Sequence, residues 1–437
     1  MNIILLSGGS GKRLWPLSND IRSKQFIKFL KKEDGSYESM VQRVFRQIKS
    51  VDSNANIVVA TSSNQLAIIH NQLGDGVKTS VEPSRKDTFP AIALACSFLI
   101  EKSRINDNES VIVCPIDTFA SDDYFLSFLK MKNVIDDGDA NLVLLGLKPT
   151  EPSDKFGYIV PKTEEEITDV ISFEEKPQIE RAKELINKKA LWNGGVFGFK
   201  ISHLINRAKD LLKFKDYNDL LNKYNDLEKI SFDYAFSEKE QNIKVIKYDG
   251  LWKDIGTWSS LIDVVDENCV GSGLISDSCE SVKIINELSI PVLAVGVSNI
   301  IISSSPEGIL VTNKEESSSI KPYVDSFDQR VMFAERSWGS YQIINIEDES
   351  LTLKVVLNPG HSMNYHSHLK RDEVWVVISG KGKIIVDGIA QKVCAGDVVK
   401  IKALSKHTII AETHLQLIEV QLGKEISIFD KIKHSIE

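Results

Sequence analysis

The sequence predicts an α/β domain on a mostly parallel sheet, followed by a β-rich connector and a C-terminal β-barrel. Three observations carry that expectation. Short β-branched runs alternate with helical stretches up to about residue 260; helical periodicity then disappears; and beyond residue 335 strands recur at roughly ten-residue spacing with turn formers between them.

In the first region, "NIILL" (2–6), "NIVVATS" (56–62), "SVIVCP" (110–115) and "NLVLLGL" (141–147) read as buried strands, short, apolar and closed by Gly, Pro or Ser. Between them, "ESMVQRVFRQI" places Met40, Val41, Val44, Phe45 and Ile48 on one helical face, and "FPAIALACSFLIEKS" opens with a proline suited to a helix's first turn. Such alternation implies helices on both faces of the sheet and ligands at the carboxyl ends of the strands. The stretch "SVKIINELSIPVLAVGVSNIIISSSPEGILVTN" is a series of Val, Ile and Ser runs broken by turn residues, expected to stack as short strands. In the last region "LTLKVVL", "EVWVVIS", "KIIVDG", "DVVKI" and "LQLIEV", joined by "PGH", "GKG", "DG" and "AGD", suggest a barrel or jelly roll. The expected domains are residues 1–262, 263–334 and 335–437.

Length and charge narrow the function classes. A chain of 437 residues exceeds one ordinary core. A net charge of −8 argues against nucleic acid or an acidic membrane as the main partner. Cys96, Cys114, Cys269, Cys279 and Cys394 are scattered and form no CxxC pair, so neither a disulfide framework nor a zinc knuckle is expected. The opening apolar run is short and lacks a basic flank, and no run approaches the roughly 20 apolar residues that span a bilayer. A soluble cytoplasmic protein is the expectation.

The chemistry begins at "LLSGGSGKRLWPLS" (5–18). A P-loop is excluded, because Leu6 stands where its first glycine belongs and Arg13 where its hydroxyl residue belongs. A dinucleotide fingerprint is excluded too, since Leu14 replaces the last glycine. What remains is a glycine loop behind a first strand, followed by Arg13 and Lys24. That suits a triphosphate, although a plain tight turn with solvated cations fits the same residues.

The stretch "SGGSGKRLWPLSNDIRSKQF" is followed in order by "EPSRKDTFPAIALA", "CPIDTF", "FGYIV", "FEEKP", "LWNGGVFGFK" and "WKDIGTW", spanning residues 7–258. This series resembles the sugar nucleotidyltransferases, in particular mannose-1-phosphate guanylyltransferases fused to a phosphomannose isomerase-like cupin. The resemblance implies a Rossmann-like, GT-A-like fold that joins GTP and mannose 1-phosphate into GDP-mannose and pyrophosphate with Mg²⁺. It carries Arg13 and Lys24, with the N–H groups of Gly8, Gly9 and Gly11, onto the triphosphate. Asp117 and Asp254 match the family's magnesium aspartates, hard oxygen donors of the kind that ion prefers. Glu175 is expected on sugar hydroxyls and Lys176 on the sugar phosphate; Gly157, Tyr158, Asn193 and Gly194 complete the implied sugar site, with Tyr158 equally readable as a packed sheet residue. Where the family commonly has Arg-Asn-Thr-Ala-Pro, this chain has Lys86 to Pro90, and Asp87 there suits guanine's N1–H and N2–H₂. A homodimer through the β-rich middle or the cupin is also implied. Another sugar 1-phosphate such as a heptose, another nucleoside triphosphate, or a non-catalytic sugar-nucleotide sensor are the competing readings.

In "PGHSMNYHSHLKRDEVWVVISG", the order Gly360, His366, His368, Glu373, Gly380 has the spacing of the first cupin motif, and His407 lies at the second-motif distance from Gly396. Strand alternation puts His366 and His368 on one face, with Glu373 on the returning strand; with His407 they form a candidate site for Zn²⁺ or another divalent metal. Departures from the isomerase pattern, Thr408 where the family has arginine and Lys402 and Leu404 in place of Pro and Gly, weaken the expectation of isomerase activity.

Overall fold

The computed structural model describes residues 1–8, 11–19, 21–327, 330–427 and 430–435. Two compact units emerge, Met1–Ser10 with Lys24–Val265 and Gly11–Ser23 with Asp266–Glu437.

The first unit contains the strands β1 (Asn2–Leu6), β2 (Asn56–Ser62), β3 (Lys78–Glu82), β4 (Ser110–Pro115), β5 (Thr118–Ala120), β6 (Leu142–Leu147), β7 (Tyr158–Pro161), β8 (Ile167–Glu174), β9 (Leu191–Lys200), β10 (Ile243–Tyr248) and β11 (Trp252–Asp254). Nine of them form one sheet in the order β3-β2-β1-β4-β9-β6-β10-β8-β7. Its first four strands are parallel, as are β6 and β10, which is the expected α/β core. Strand β9 runs antiparallel to β4, β6 and β7, and its contact with β7 closes β9, β6, β10, β8 and β7 into a ring.

Alternation decides which residues face which layer. Ile3 and Leu5 of β1 pack with helices α1 (Met40–Val51), α2 (Ser63–Leu73) and, beyond the next helix in the chain, the helix Asp122–Asp136. Ile4 instead faces α3 (Thr88–Glu101) and the helix Ile201–Leu212. Helix α1 starts where Ser39 and Gln42 form a reciprocal capping box, and it buries Met40, Val41, Val44 and Ile48 as the sequence spacing predicts. Each such side chain contributes about 1.5–3 kcal/mol by leaving water. In α3 Pro90 occupies the first turn, where its missing N–H costs no helical bond.

The parallel register aligns the strand ends that matter for function. Leu6 lies opposite both Ala60 and Pro115, so the chains leaving β1 and β4 emerge side by side. The Ile116 N–H donates to the Leu6 carbonyl at 3.2 Å and the Ser7 N–H to the Ala60 carbonyl at 2.9 Å, extending that alignment one residue further.

In the second unit, strands 283–286 and 300–305 stack in parallel on 269–271, while 273–275 pairs in parallel with 292–294, giving a coil of short strands around Val282, Ile284 and Ala294. A short helix, Lys321–Asp325, interrupts the expected run of strands, started by Pro322 in its first turn. Residues 11–23 fold onto this coil. Asn19 donates to Glu307 (2.8 Å) and to the Phe333 carbonyl (3.0 Å), Arg22 makes a two-point ion pair with Glu287 (2.7 and 2.8 Å), and the Ser305 hydroxyl donates to the Pro16 carbonyl at 2.6 Å. Gly308 has φ 150°, and a Cβ there would come within 2.5 Å of the Trp15 ring, so the indole requires glycine beneath it.

The remaining strands form the expected barrel-like fold. A six-stranded and a five-stranded sheet enclose Leu353, Val355, Trp375, Val377, Ile384, Ile409 and Leu417. Among the described residues no helix is long and apolar enough to cross a membrane.

Candidate active site

Three predicted residues converge in the first unit. Asp117 follows the end of β4, and Asp254 ends β11, which pairs antiparallel with β5 so that Asp254 lies opposite Thr118. Lys24, on the short 3₁₀ turn Lys24–Phe26, reaches both: Nζ is 2.8 Å from Asp117 Oδ2 and 3.6 Å from Asp254 Oδ1, and it donates to the Ile255 carbonyl at 2.8 Å. Next to it, Gln25 Nε2 donates to the Gly8 carbonyl (3.4 Å) and the Ser7 hydroxyl (3.3 Å), which holds the 3₁₀ turn against the start of the glycine loop. Gln25 stands in the "SKQF" that closes the first of the ordered motifs. Two carboxylates and one ammonium sum to a single negative charge, and both carboxylates remain partly open to solvent. Such a donor set fits a hard divalent cation, whose arrival would reverse the local sign and favour phosphate oxygens.

Gly8 is exposed, with nothing within 4 Å of where a Cβ would stand. Gly9 lies outside the described residues. Gly11 begins the 3₁₀ turn Gly11–Leu14 of the second unit, which also carries Arg13, an exposed side chain. Asp87 is the N-cap of α3, accepting the Thr88 N–H at 2.8 Å, with φ 71° and ψ −173°, a region L-residues rarely occupy. Its carboxylate is exposed, and the cap occupies only part of its acceptor capacity.

Around the ring of strands lies a second group. The Glu175 side chain is 6% exposed; Oε1 pairs with Lys176 Nζ at 3.0 Å, and Oε2 is buried without a hydrogen-bond partner. A Cβ on Gly157 would stand 2.4 Å from that oxygen, so glycine at 157 is what gives Glu175 its place. The Asn193 N–H donates to the Gly157 carbonyl at 2.7 Å, and Asn193 Oδ1 accepts the Gly195 N–H at 3.1 Å across the irregularity that follows it in β9, where Gly194 and Gly195 lie. Tyr158 does not present its side chain here. It is fully buried, and its hydroxyl donates to the Ser153 carbonyl (3.0 Å) and accepts the Ser153 N–H (2.9 Å). Strand alternation explains this: Gly157 and Tyr158 are neighbours in sequence and so face opposite ways. Asp233, which the sequence reading passed over, accepts from Asn193 Nδ2 at 2.8 Å. Burial, reinforced by the nearby Glu175 charge, raises its carboxyl to about 7.

The histidines of the second unit also gather. His366 stands directly across from His407 in the sheet, and the candidate ligand atoms of His366, His368 and His407 lie within 4.8 Å of one another. Each Nδ1 faces a backbone carbonyl, of Asn364 (2.6 Å), Asp430 and Ser405 (2.9 Å) respectively. Donation there leaves the Nε2 lone pairs of His366 and His407 for a cation, while His368 Nε2 accepts from Arg371 Nη2. Burial and neighbouring cationic groups lower the His366 pKa to about 2, which keeps that ring neutral and able to ligate. The residues therefore fit a divalent metal.

Glu373 lies beside the triad, 3.1 Å from His368 Nε2 and 3.3 Å from His407 Nε2, but it is also bound by Arg371 Nε (2.9 Å) and Trp375 Nε1 (3.1 Å). Burial opposes its ionisation, yet the histidines and Arg371 hold its carboxyl well below the usual range. Arg371, unmarked by any motif in the sequence, also places Nη2 3.0 Å from His368 Nε2. Deeper in the barrel, burial and the Glu373 charge raise Glu419 to about 8.

These two centres, one of paired carboxylates with a lysine and one of clustered imidazoles, define a sugar-nucleotide type of transferase joined to a cupin. The profile of the nucleotidyl transferase family matches residues 2–269, and the chain belongs to that family; a second profile, mannose-6-phosphate isomerase C-terminal, matches residues 326–434. Its curated relatives include the mannose-1-phosphate guanylyltransferase RfbM of Salmonella typhimurium (28% identical, covering 98% of this chain and 96% of the relative) and the mannose-1-phosphate guanylyltransferase of Salmonella muenchen (27%, 99% and 98%). The xanthan biosynthesis protein XanB of Xanthomonas campestris pv. campestris is 28% identical over 98% of this chain and 97% of its own. Among solved structures, "mannose-1-phosphate geranyltransferase" from Thermus thermophilus superposes with a TM-score of 0.62 at 26% identity, covering 74% of this chain and 98% of that one.

Proposed function

We propose that the protein is a mannose-1-phosphate guanylyltransferase, making GDP-mannose and pyrophosphate from GTP and mannose 1-phosphate for polysaccharide synthesis. The placement of Lys24 between Asp117 and Asp254 is the observation that carries this reading. A phosphate oxygen of the sugar phosphate attacks the α-phosphorus; a P–O bond forms there as the bond to the β-phosphate bridging oxygen breaks, and pyrophosphate leaves with the electron pair. Asp117 and Asp254 would hold Mg²⁺, which supplies charge neutralisation at the phosphates. Lys24 and Arg13 stabilise charge on the departing pyrophosphate, beside backbone N–H groups of Gly8, Gly9 and Gly11. Glu175, with Asn193 and Gly194, positions the sugar ring through its hydroxyls, and Lys176 its phosphate, while Gly157 makes room for Glu175.

Asp87 is proposed as the guanine acceptor. Product analysis with each nucleoside triphosphate tests this: GTP is expected to be the best substrate, and strong turnover of dTTP or CTP without GTP turnover would remove the base assignment. The working division is a transferase domain 1–262, a connector 263–334 and a cupin 335–437, with a cytoplasmic setting and a homodimeric state.

For the cupin we expect one Zn²⁺ or other divalent metal per chain, bound through His366, His368 and His407 with Glu373 alongside, and no interconversion of mannose 6-phosphate and fructose 6-phosphate. Thr408, where the isomerase-like pattern has arginine, is fully buried and spends its hydroxyl on the Met363 carbonyl at 2.6 Å. Metal analysis of the purified protein and of His366→Ala, together with an isomerase assay, checks both expectations; isomerase turnover would overturn the second.

A further inference from the structure

We infer that Asp233 is a further positioning residue of the sugar site, fixing Asn193 and forming with Glu175 a carboxyl pair that receives two hydroxyls of the sugar phosphate. The inference rests on the sugar-site reading above and extends it to a residue outside the family-like motifs.

Three observations support it. Asp233 Oδ1 accepts from Asn193 Nδ2 at 2.8 Å while Asn193 Oδ1 accepts from Gly195, so the aspartate sets which way the amide is turned. One Nδ2 hydrogen then remains for a ligand. Glu175 Oε2, on a side chain 94% buried, has no partner within the protein, and a buried acceptor left unmet is costly unless a ligand supplies the donor. Finally, the charged groups acting on Asp233 are Glu175 and Lys176, both from the segment after β8 and both already assigned to the sugar phosphate, and Asn193 of β9 is its hydrogen-bonding neighbour.

The arrangement makes sugar binding sensitive to pH. Below about 7 Asp233 is neutral and adds no negative charge beside Glu175. Above that value two carboxylates face an anionic substrate, so the KM for the sugar phosphate rises with pH. Substrate phosphate titrates equally for every variant, so the comparison between variants isolates Asp233.

The test measures KM and kcat for mannose 1-phosphate at saturating GTP and Mg²⁺ from pH 6 to 9, on the full chain. At pH 6, where Asp233 is neutral, Asp233→Ala is expected to raise this KM about fivefold, the loss of one buried hydrogen bond, with kcat little changed. Asp233→Asn keeps the side-chain shape, and its KM is expected to be flat above pH 7. An Asp233→Asn profile that rises as steeply as the parent's, or an Asp233→Ala KM equal to the parent's, overturns the inference. Glu175→Gln separates the two levels: unchanged KM there defeats the sugar-site reading itself, whereas a raised KM with unresponsive Asp233 variants defeats only the present inference. Thermal melts of each variant identify any that fail to fold, and Asp233→Asn then carries the test.

Discussion

Asp254→Asn is expected to lower turnover by about 10²–10³-fold, the usual loss when one charged stabiliser of a transition state is removed. The substitution keeps the side chain's size and removes its charge. Lys24 would keep its 2.8 Å partner Asp117, so the glycine-loop side of the site should persist. Two measurements define the outcome: pyrophosphate release at saturating substrates, and GTP binding by calorimetry. Turnover falls and GTP affinity is largely retained, while the Mg²⁺ concentration for half-maximal rate rises because one of two carboxylate donors is gone. Unchanged turnover would contradict the metal role of Asp254. An equal loss of GTP binding would point to collapse of the β5–β11 pair instead.

Arg371→Ala is the second large effect, and it acts on stability. Arg371 is 8% exposed and Glu373 2%, so their ion pair is buried, and removing the guanidinium leaves Glu373 beside Glu419 without its one arginine partner, 2.9 Å away. Breaking a buried pair from one side costs about 3–5 kcal/mol, far more than a surface bridge. Hydrogen exchange in Asp372–Ser379 and Leu415–Leu422, the paired strands that carry Glu373 and Glu419, should report the loss locally. The double variant Arg371→Met with Glu373→Gln should recover most of it, since neither charge is then stranded. A single variant that exchanges no faster than the parent would mean that the histidines alone neutralise Glu373.

Much of the architecture could be read from local pattern. The four strands "NIILL", "NIVVATS", "SVIVCP" and "NLVLLGL" lie where β-branching and turn residues put them, because a buried parallel strand has to be apolar on both faces. The approach of Asp117 to Asp254 was also foreseeable, but only through the ordered motifs; nothing in either local sequence states that β5 and β11 pair. What escaped prediction depends on distant partners. The sequence leaves Tyr158 open between a sugar-site residue and a packed sheet residue, and only the position of Ser153 decides it. Asp233 sits in "SFDYAF", a lone acid among aromatic residues, and that isolation was a usable sign that its carboxyl had to be satisfied inside the protein. Arg371 stood in plain view between His368 and Glu373, yet a charged residue in a turn reads as solvated until the fold encloses it.

The anchorage of residues 11–23 bears on how the enzyme can be dissected. Asn19 leans on Glu307, Arg22 on Glu287 and Trp15 on Gly308, each partner lying more than 260 positions downstream. A fragment ending near residue 265 would keep the signature segment in its sequence and forfeit every one of those supports. Expressed alone, such an N-terminal half should be sluggish and protease-sensitive between Gly11 and Ser23, so the boundary between modules, obvious along the chain, is no place to cut.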